Sequence, residues 1–346
     1  MPDATEGRTP VETAAELVGR PALFRGLTVH AGVDLGIIDL IGDGEKSTGE
    51  IVSELDLPTR HTRRLLRALD VYGVLDSATE ERYSLTPAGH RFRSDHPESL
   101  RDYLLYFYNP KRFAAIRHLP DIVTEGGPTG YDLEFDRSLF ELFDVDPALS
   151  EQFNGMLSLA SLGETERDLA ALEAVDFSQF ETICDIGGGY GELLCRLLER
   201  HPDLAGTVLE LPSVLAEEDR LWAPRVGVEA RCDYVAGDMF ETVPRADAYI
   251  LNQILHDWPD DDCRRVLSNV HEAAPEDGRL FVRERIVSED DPEPTMIDMD
   301  IWMMMEMGGL ERTQREFETL FESGGWTLEA IHDVEGDFSF MQCALV

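Results

Sequence analysis

The first forty residues follow a helical rhythm. Apolar residues at Ala15, Leu17, Val18, Leu23, Leu27, Val29, Val33, Leu35, Ile37, Ile38, Leu40 and Ile41 predict one or two helices over residues 12–42. Gly42-Asp43-Gly44 breaks the run. Ser47-Thr48-Gly49-Glu50 then sets a serine three residues before a glutamate, the pairing that caps a helix start, ahead of Ile51, Val52 and Leu55. After the turn Leu57-Pro58-Thr59, a second helix carries Leu65, Leu66, Leu69, Val71 and Tyr72 and ends near Gly73. Val74-Leu75 and Arg82-Tyr83-Ser84-Leu85 read as two short strands closed by Thr86-Pro87. Helix, turn, helix and a two-stranded wing make a winged-helix pattern. Residues 98–165 read as mostly helical, broken at Gly126-Gly127-Pro128.

From about residue 166 strand-like and helical runs alternate. The strands are 182–186, 206–210, 230–235, 248–252, 279–286, 327–334 and 338–345, with helices over 192–200, from 212, over 260–274 and over 313–323. Such alternation predicts an α/β fold with a mostly parallel sheet of βαβ units. The last two strands have no helix between them and predict an antiparallel edge hairpin. The expected divisions are a winged-helix-like domain over 1–100, a helical connector over 101–165 and an α/β domain over 166–346.

Composition narrows the classes. Of 346 residues, 43% are hydrophobic and 29% charged, a globular balance. No apolar run reaches the roughly 18 residues of a membrane span. The acidic, polar start Met1-Pro2-Asp3-Ala4-Thr5-Glu6 lacks a signal-peptide pattern, so a cytoplasmic location is expected. Cys184, Cys195, Cys232, Cys263 and Cys343 form no C-x-x-C pair, which favours reduced thiols over disulfides or a zinc site. The net charge is −39, and Lys46 and Lys111 are the only lysines. A surface so acidic weighs against DNA or RNA as a partner. It repels itself unless salt screens it, which points to a cytoplasm of high ionic strength, as in a halophile.

Asp185-Ile186-Gly187-Gly188-Gly189-Tyr190-Gly191 follows a strand and opens a helix, with spacing D-x-G-x-G-x-G. Glycines let the backbone turn sharply and approach a ligand. A dinucleotide fingerprint counted from Gly187 needs glycine at 192, where Glu192 stands, and no Walker lysine follows. Glu210 ends the next strand, where a carboxylate can accept ribose hydroxyls. Asp238 follows the third strand, where it can meet an adenine amine while Met239 packs on the ring. His256, in Asn252-Gln253-Ile254-Leu255-His256-Asp257-Trp258, follows the fourth strand and so also lies at the ligand edge of an open sheet. A histidine near pKa 6.5 that takes a proton from a phenol near 10 works uphill by about 3.5 units, roughly 5 kcal/mol. A carboxylate that steadies the imidazolium helps, and Glu284 and Glu311 are the two candidates.

DIGGGYG, LELPSV, AGDMF, ADAYILNQILHDW, VRERIV and GGLERTQREFETLFESGGW occur in that order. Together they resemble the small-molecule O-methyltransferases that include caffeic-acid, hydroxyindole and polyketide-tailoring enzymes. The resemblance spans nearly the whole chain. It implies a Rossmann-like class I methyltransferase sheet, preceded by a winged-helix-like dimerisation domain, a homodimer, S-adenosylmethionine (SAM) as methyl donor and a small-molecule acceptor. It implies His256 as general base flanked by Glu284 and Glu311. The implied cofactor set is Asp185, Gly187, Gly189, Glu210, Leu211, Asp238, Met239 and Asn252. Two departures stand out. The ribose acid, usually Asp, is Glu210, and Asn252 and Gln253 stand where the family often has Lys or Arg, four residues before the base. Phe153, Met156, Trp302 and Met305 are candidates for an apolar acceptor slot, against the alternative of core packing. No His/Asp cluster at ligand spacing suggests a metal. A DNA-binding regulator, prompted by Arg60, Arg63, Arg64 and Arg67 on or beside the second winged helix, and a catalytically inactive SAM-binding homologue are the competing readings.

Overall fold

A computed structural model describes residues 20–79, 82–160, 164–216, 218–334 and 336–346. The expected helical positions Ala15, Leu17 and Val18 lie outside the described residues. The described residues of Met1–Ala114 and Phe140–Ala160 form one compact unit, and those of Ala115–Leu139 and Ser161–Val346 form another.

In the first unit the early apolar run becomes two helices, Arg20–Asp34 and Ile37–Ile41, because Gly36 between them adopts a left-handed φ of 74°. Ser47 caps the helix Thr48–Glu54 as its sequence predicts. Its hydroxyl accepts from Glu50 N at 3.2 Å, and Ser47 N donates to the Glu50 carboxylate at 2.7 Å. The helix Thr59–Val71 buries Leu66 and Leu69 and leaves Arg60, Arg63, Arg64 and Arg67 exposed. The wing is β2 (Leu75–Thr79) against β3 (Arg82–Leu85), with β1 (Lys46–Ser47) added on the far side of β3. Two residues are too short a strand to leave a periodic signal. Further along, the helix Pro147–Ala160 buries Phe153 and Met156. Phe153 sits 5.2 Å from the Tyr106 ring and 5.0 Å from Phe143, so within this unit it is part of an aromatic core.

The second unit is built on a sheet of order β10-β11-β8-β7-β4-β5-β6. β4 (Thr182–Ile186), β5 (Ala205–Glu210), β6 (Cys232–Ala236), β7 (Ala248–Asn252) and β8 (Arg279–Val287) run parallel. β4 and β7 are buried along nearly their whole length, as central parallel strands covered on both faces must be. Ile183, Ile250 and Phe281 point to one face, under the helices Glu164–Leu172 and Glu192–Arg200. Cys184, Tyr249, Leu251, Leu280 and Val282 point to the other, under Asp260–Ala273 and Gln314–Ser323. The closing hairpin is antiparallel, as expected, with β11 (Phe338–Leu345) inside against β8 and β10 (Trp326–Asp333) at the edge. The burial explains that order: β11 buries residues on both faces, whereas Trp326 is the one buried residue of β10. The two-residue β9 (Arg312–Thr313) pairs with the end of β8. The helix Pro294–Glu306 carries no regular apolar period and went unread in the sequence pattern.

All five cysteines are free and buried. No helix among the described residues is long and apolar enough to cross a membrane. Many ion pairs are surface contacts of an excess acidic chain, such as Arg200 with Glu166 and Glu173, and are worth little alone. If the net charge of −39 is matched to high salt, the thermal midpoint should rise by roughly 5–10 °C between low and about 1 M KCl. A midpoint that stays level or falls in a calorimetric scan removes the halophilic reading.

Candidate active site

The glycine turn lies where β4 hands over to the helix Glu192–Arg200. Gly187, Gly189 and Gly191 have φ of 68°, 57° and 83°, so alternate residues of the turn are left-handed, and only glycine does this without strain. A Cβ on Gly189 would meet nothing within 4 Å, so the turn presents an open backbone surface there. The carboxylate of Glu210, at the end of β5, holds the turn in place. Its oxygens accept from Gly189 N at 2.9 Å and Leu211 N at 2.7 Å. Each carboxylate oxygen keeps a further lone pair for a ligand hydroxyl. The longer reach of Glu over Asp suits this bridge. Asp185 is buried against Gly188, and burial, with Glu210 adding to it, pushes its carboxyl up to about 7. Asp238 closes a tight turn by accepting from Phe240 N at 2.8 Å, and Met239 is half-buried beside it in sequence. Asn252 ends β7 on the opposite side of β4 from Glu210.

His256 sits in a single 3₁₀ turn, Leu255–Asp257, just beyond β7. Its ring is anchored from three segments. Nδ1 lies 3.0 Å from Glu311 Oε1 and 3.9 Å from Glu284 Oε2, and Nε2 lies 3.5 Å from Asp257 Oδ1. Glu284 also accepts from Leu255 N at 2.8 Å and His256 N at 3.3 Å, so one carboxylate fixes the turn and flanks the ring. Glu311 in turn faces Arg285 at 3.6 Å, and its backbone N–H donates to Asp300 at 3.0 Å. Leu310 N donates to His256 O at 3.0 Å, and a Cβ on Gly309 would fall 1.9 Å from that same oxygen. Gly309 is therefore glycine because the two backbones touch.

A carboxylate can only accept, so in the neutral ring the Nδ1 contact places the proton on Nδ1 and leaves the lone pair on Nε2; below the ring's own pKa, Nε2 is protonated as well and faces Asp257. Burial alone would lower the His256 pKa, but Glu284, Asp257 and Glu311 outweigh it and raise it to about 9. Glu284 is raised to about 7, first by burial and then by its acidic neighbours, while His256 pulls the other way. Against a phenol near 10, a base near 9 leaves proton transfer uphill by only about 1.4 kcal/mol.

The fold thus brings His256, Glu284 and Glu311 together from separated stretches, and sets the glycine turn, Glu210 and Asn252 at the C-terminal ends of neighbouring strands. The expectation that no metal-type cluster exists rested on linear spacing. Donor atoms of His256, Glu284 and Glu311 in fact lie within 4.8 Å of one another, because three segments far apart in sequence converge. Trp302 and Met305 lie half-buried on Pro294–Glu306, in the second unit, whereas Phe153 and Met156 belong to the first. Sequence reasoning missed the role of Asp257 beside Nε2, of Arg285 beside Glu311 and of the buried Arg283. Only the neighbouring "DW" and the R-E-R triplet hinted at them.

Residues 116–327 match the model of the O-methyltransferase domain, and residues 26–95 match that of the O-methyltransferase dimerisation domain. The chain is 31% identical over 317 residues to a phenazine O-methyltransferase of Lysobacter antibioticus, covering 91% of each chain. The solved structure of a mitomycin 7-O-methyltransferase superposes with a TM-score of 0.87 at 30% identity, over 98% of this chain and all of that one. A neocarzinostatin-biosynthesis O-methyltransferase, solved with S-adenosylhomocysteine and 1,4-dihydroxy-2-naphthoic acid, superposes with a TM-score of 0.79 at 28% identity, over 93% and 96%. With family models over most of its length and relatives matched end to end, this chain belongs to the SAM-dependent small-molecule O-methyltransferase family.

Proposed function

We propose that this enzyme methylates a phenolic or enolic hydroxyl of a small aromatic or polyketide-like molecule, with His256 as general base. The observation that carries the reading is the buried His256–Glu311 contact at 3.0 Å, which in the deprotonated ring leaves Nε2 as the proton acceptor. Gly187, Gly189 and Leu211 offer the backbone surface of the cofactor cradle, with Asp185 supporting the turn from within. Glu210 offers lone pairs for ribose hydroxyls, Asp238 and Met239 receive the base, and Asn252 stands at the far end. The open space over Gly189 fits a nucleoside laid across the strand ends. Bound there, SAM supplies an electrophilic methyl on a sulfonium, whose charge also favours an ionised acceptor.

His256 Nε2 takes the acceptor hydroxyl proton as the oxygen becomes nucleophilic. Glu311 holds the Nδ1 proton and the ring plane, and Glu284 and Asp257 offset the imidazolium charge. Trp302 and Met305 supply apolar surface for a flat ring. The dimerisation domain supports a homodimer, and the acid-rich surface supports a cytoplasm of high ionic strength.

The test is a screen in molar KCl that measures S-adenosylhomocysteine release with matched acceptors that present a hydroxyl, an amine or a carboxyl on one aromatic frame. Methylation at the phenolic oxygen, at a rate at least about tenfold above the amine, is expected of a site tuned to a base near 9. Turnover of amines alone, with phenols inert, removes the reading.

A further inference from the structure

β8 places an arginine directly before the catalytic-site glutamate. Arg283 is 1% exposed, and each nitrogen of its guanidinium finds a partner. Nε donates to Asp168 Oδ1 at 2.5 Å, one terminal nitrogen to Asn252 Oδ1 at 3.2 Å and the other to Glu164 Oε2 at 3.1 Å. One face of the group lies 3.8 Å from the Phe338 ring centre. The Arg283 carbonyl accepts from Gln253 N at 2.9 Å, and Gln253 itself is held at a left-handed φ of 54°. Arg283 therefore fixes both the side chain of Asn252 and the backbone of the residue after it, at the start of the segment that leads to His256.

Asn252 and Arg283 are register partners on parallel strands. A lysine or arginine at 252, common in the family, would bring two cations together there. Here the cation comes from the neighbouring strand, and position 252 carries a neutral amide. Arginine has donors only, so the amide must turn its oxygen toward Arg283 and its NH2 away from it. Asn252 ends β7 beside the glycine turn, on the side opposite Glu210. If Glu210 holds the ribose and Asp238 the adenine, the remaining, amino-acid end of the cofactor extends past β4 toward β7. That end carries a carboxylate, which is an acceptor for an NH2 donor.

We infer that Arg283 is a positioning residue that locks the Asn252 carboxamide with its NH2 facing the amino-acid end of the cofactor. The inference rests on the reading of Asn252 as a cofactor contact. Asp168 and Glu164 hold the guanidinium in place and more than offset its charge, so Arg283 acts through Asn252 without touching the ligand.

The experiment is calorimetric titration of the full-length protein with two probes. S-adenosylhomocysteine has the amino-acid end; 5′-methylthioadenosine keeps the nucleoside and thioether but lacks that end. Asn252→Ala and Arg283→Lys should each weaken S-adenosylhomocysteine binding by about tenfold. The double variant should bind no more weakly than either single one, because both remove the same contact. Affinity for 5′-methylthioadenosine should stay within about twofold throughout. An Asn252→Ala protein that binds S-adenosylhomocysteine normally refutes the reading of Asn252, and the inference falls with it. A loss in Asn252→Ala without one in Arg283→Lys, or fully additive losses, overturns the role of Arg283 alone. Equal weakening of both probes by Arg283→Lys shows general structural damage and also overturns it. Should Arg283→Lys fail to fold, Glu164→Gln frees one arm of the guanidinium and is expected to weaken S-adenosylhomocysteine alone, by a smaller factor; unchanged binding there counts against the inference.

Discussion

His256→Ala is expected to lower kcat for a phenolic acceptor by about 10²–10⁴-fold near neutral pH, with the Kd for SAM within about threefold of the parent. The imidazole is 9% exposed, and with Nδ1 committed to Glu311 only Nε2 remains for an acceptor. If His256 is the base, removing it takes away the proton acceptor but leaves the glycine turn and Glu210 intact. The deficit should shrink as pH approaches the phenol's own pKa of about 10, because an acceptor that ionises in water no longer needs a base. Initial rates of S-adenosylhomocysteine release from pH 6.5 to 10.5 and a SAM titration measure both halves. Unchanged turnover of phenols at neutral pH ends the assignment of His256 as base.

Glu311→Gln is the next largest effect, and its diagnostic is a shift in pH dependence. The amide oxygen can still accept the Nδ1 proton, so the tautomer survives while one of the three neighbouring anions is lost. Those anions raise His256 to about 9 against the opposing effect of burial. A base acts in its neutral form, so rate climbs with pH through the base's pKa. Losing an anion makes the protonated form less favourable, lowers that pKa and moves the climb toward acid, by about one unit. The plateau should fall by about 10–10²-fold, because a weaker base faces a steeper transfer and the imidazolium loses its partner. Nearby SAM moves the limb of either protein in the same direction, so parent and variant are compared at saturating SAM. A variant whose limb stays in place while the plateau drops would assign Glu311 to orientation only.

The readable parts of this chain were those written in local patterns. Ser47 and Glu50 announce a capping box three residues apart, and the alternation of apolar runs after 166 yields the parallel strands nearly to the residue. The left-handed glycine turn after β4 was legible because its spacing is contiguous, and the place of His256 because it follows the end of β7. What stayed hidden depends on convergence in space. Nothing linear shows that Glu284 caps the turn of its own imidazole, or that Glu311 lies between His256 and Arg285. The packing of Phe153 into an aromatic core is likewise indistinguishable, at the level of composition, from a place in an acceptor slot. Arg283 was opaque for a further reason: its meaning depends on Asn252, a register partner on another strand, and on two acids in a helix more than a hundred residues earlier.

The close approach of Gly309 to the His256 carbonyl has a bearing on how such enzymes diversify. Main-chain stitching between residues 309–310 and 256 makes the spacing of Glu311 and His256 a property of the scaffold. The helix Pro294–Glu306, which carries Trp302 and Met305, is tied to that segment through Asp300, bonded to Glu311 N. If Trp302 and Met305 line the acceptor slot as proposed, exchanges at those two positions would change the shape admitted while the His256–Glu311 distance is kept by the backbone. Directed re-targeting of this protein should begin there, with position 300 held constant.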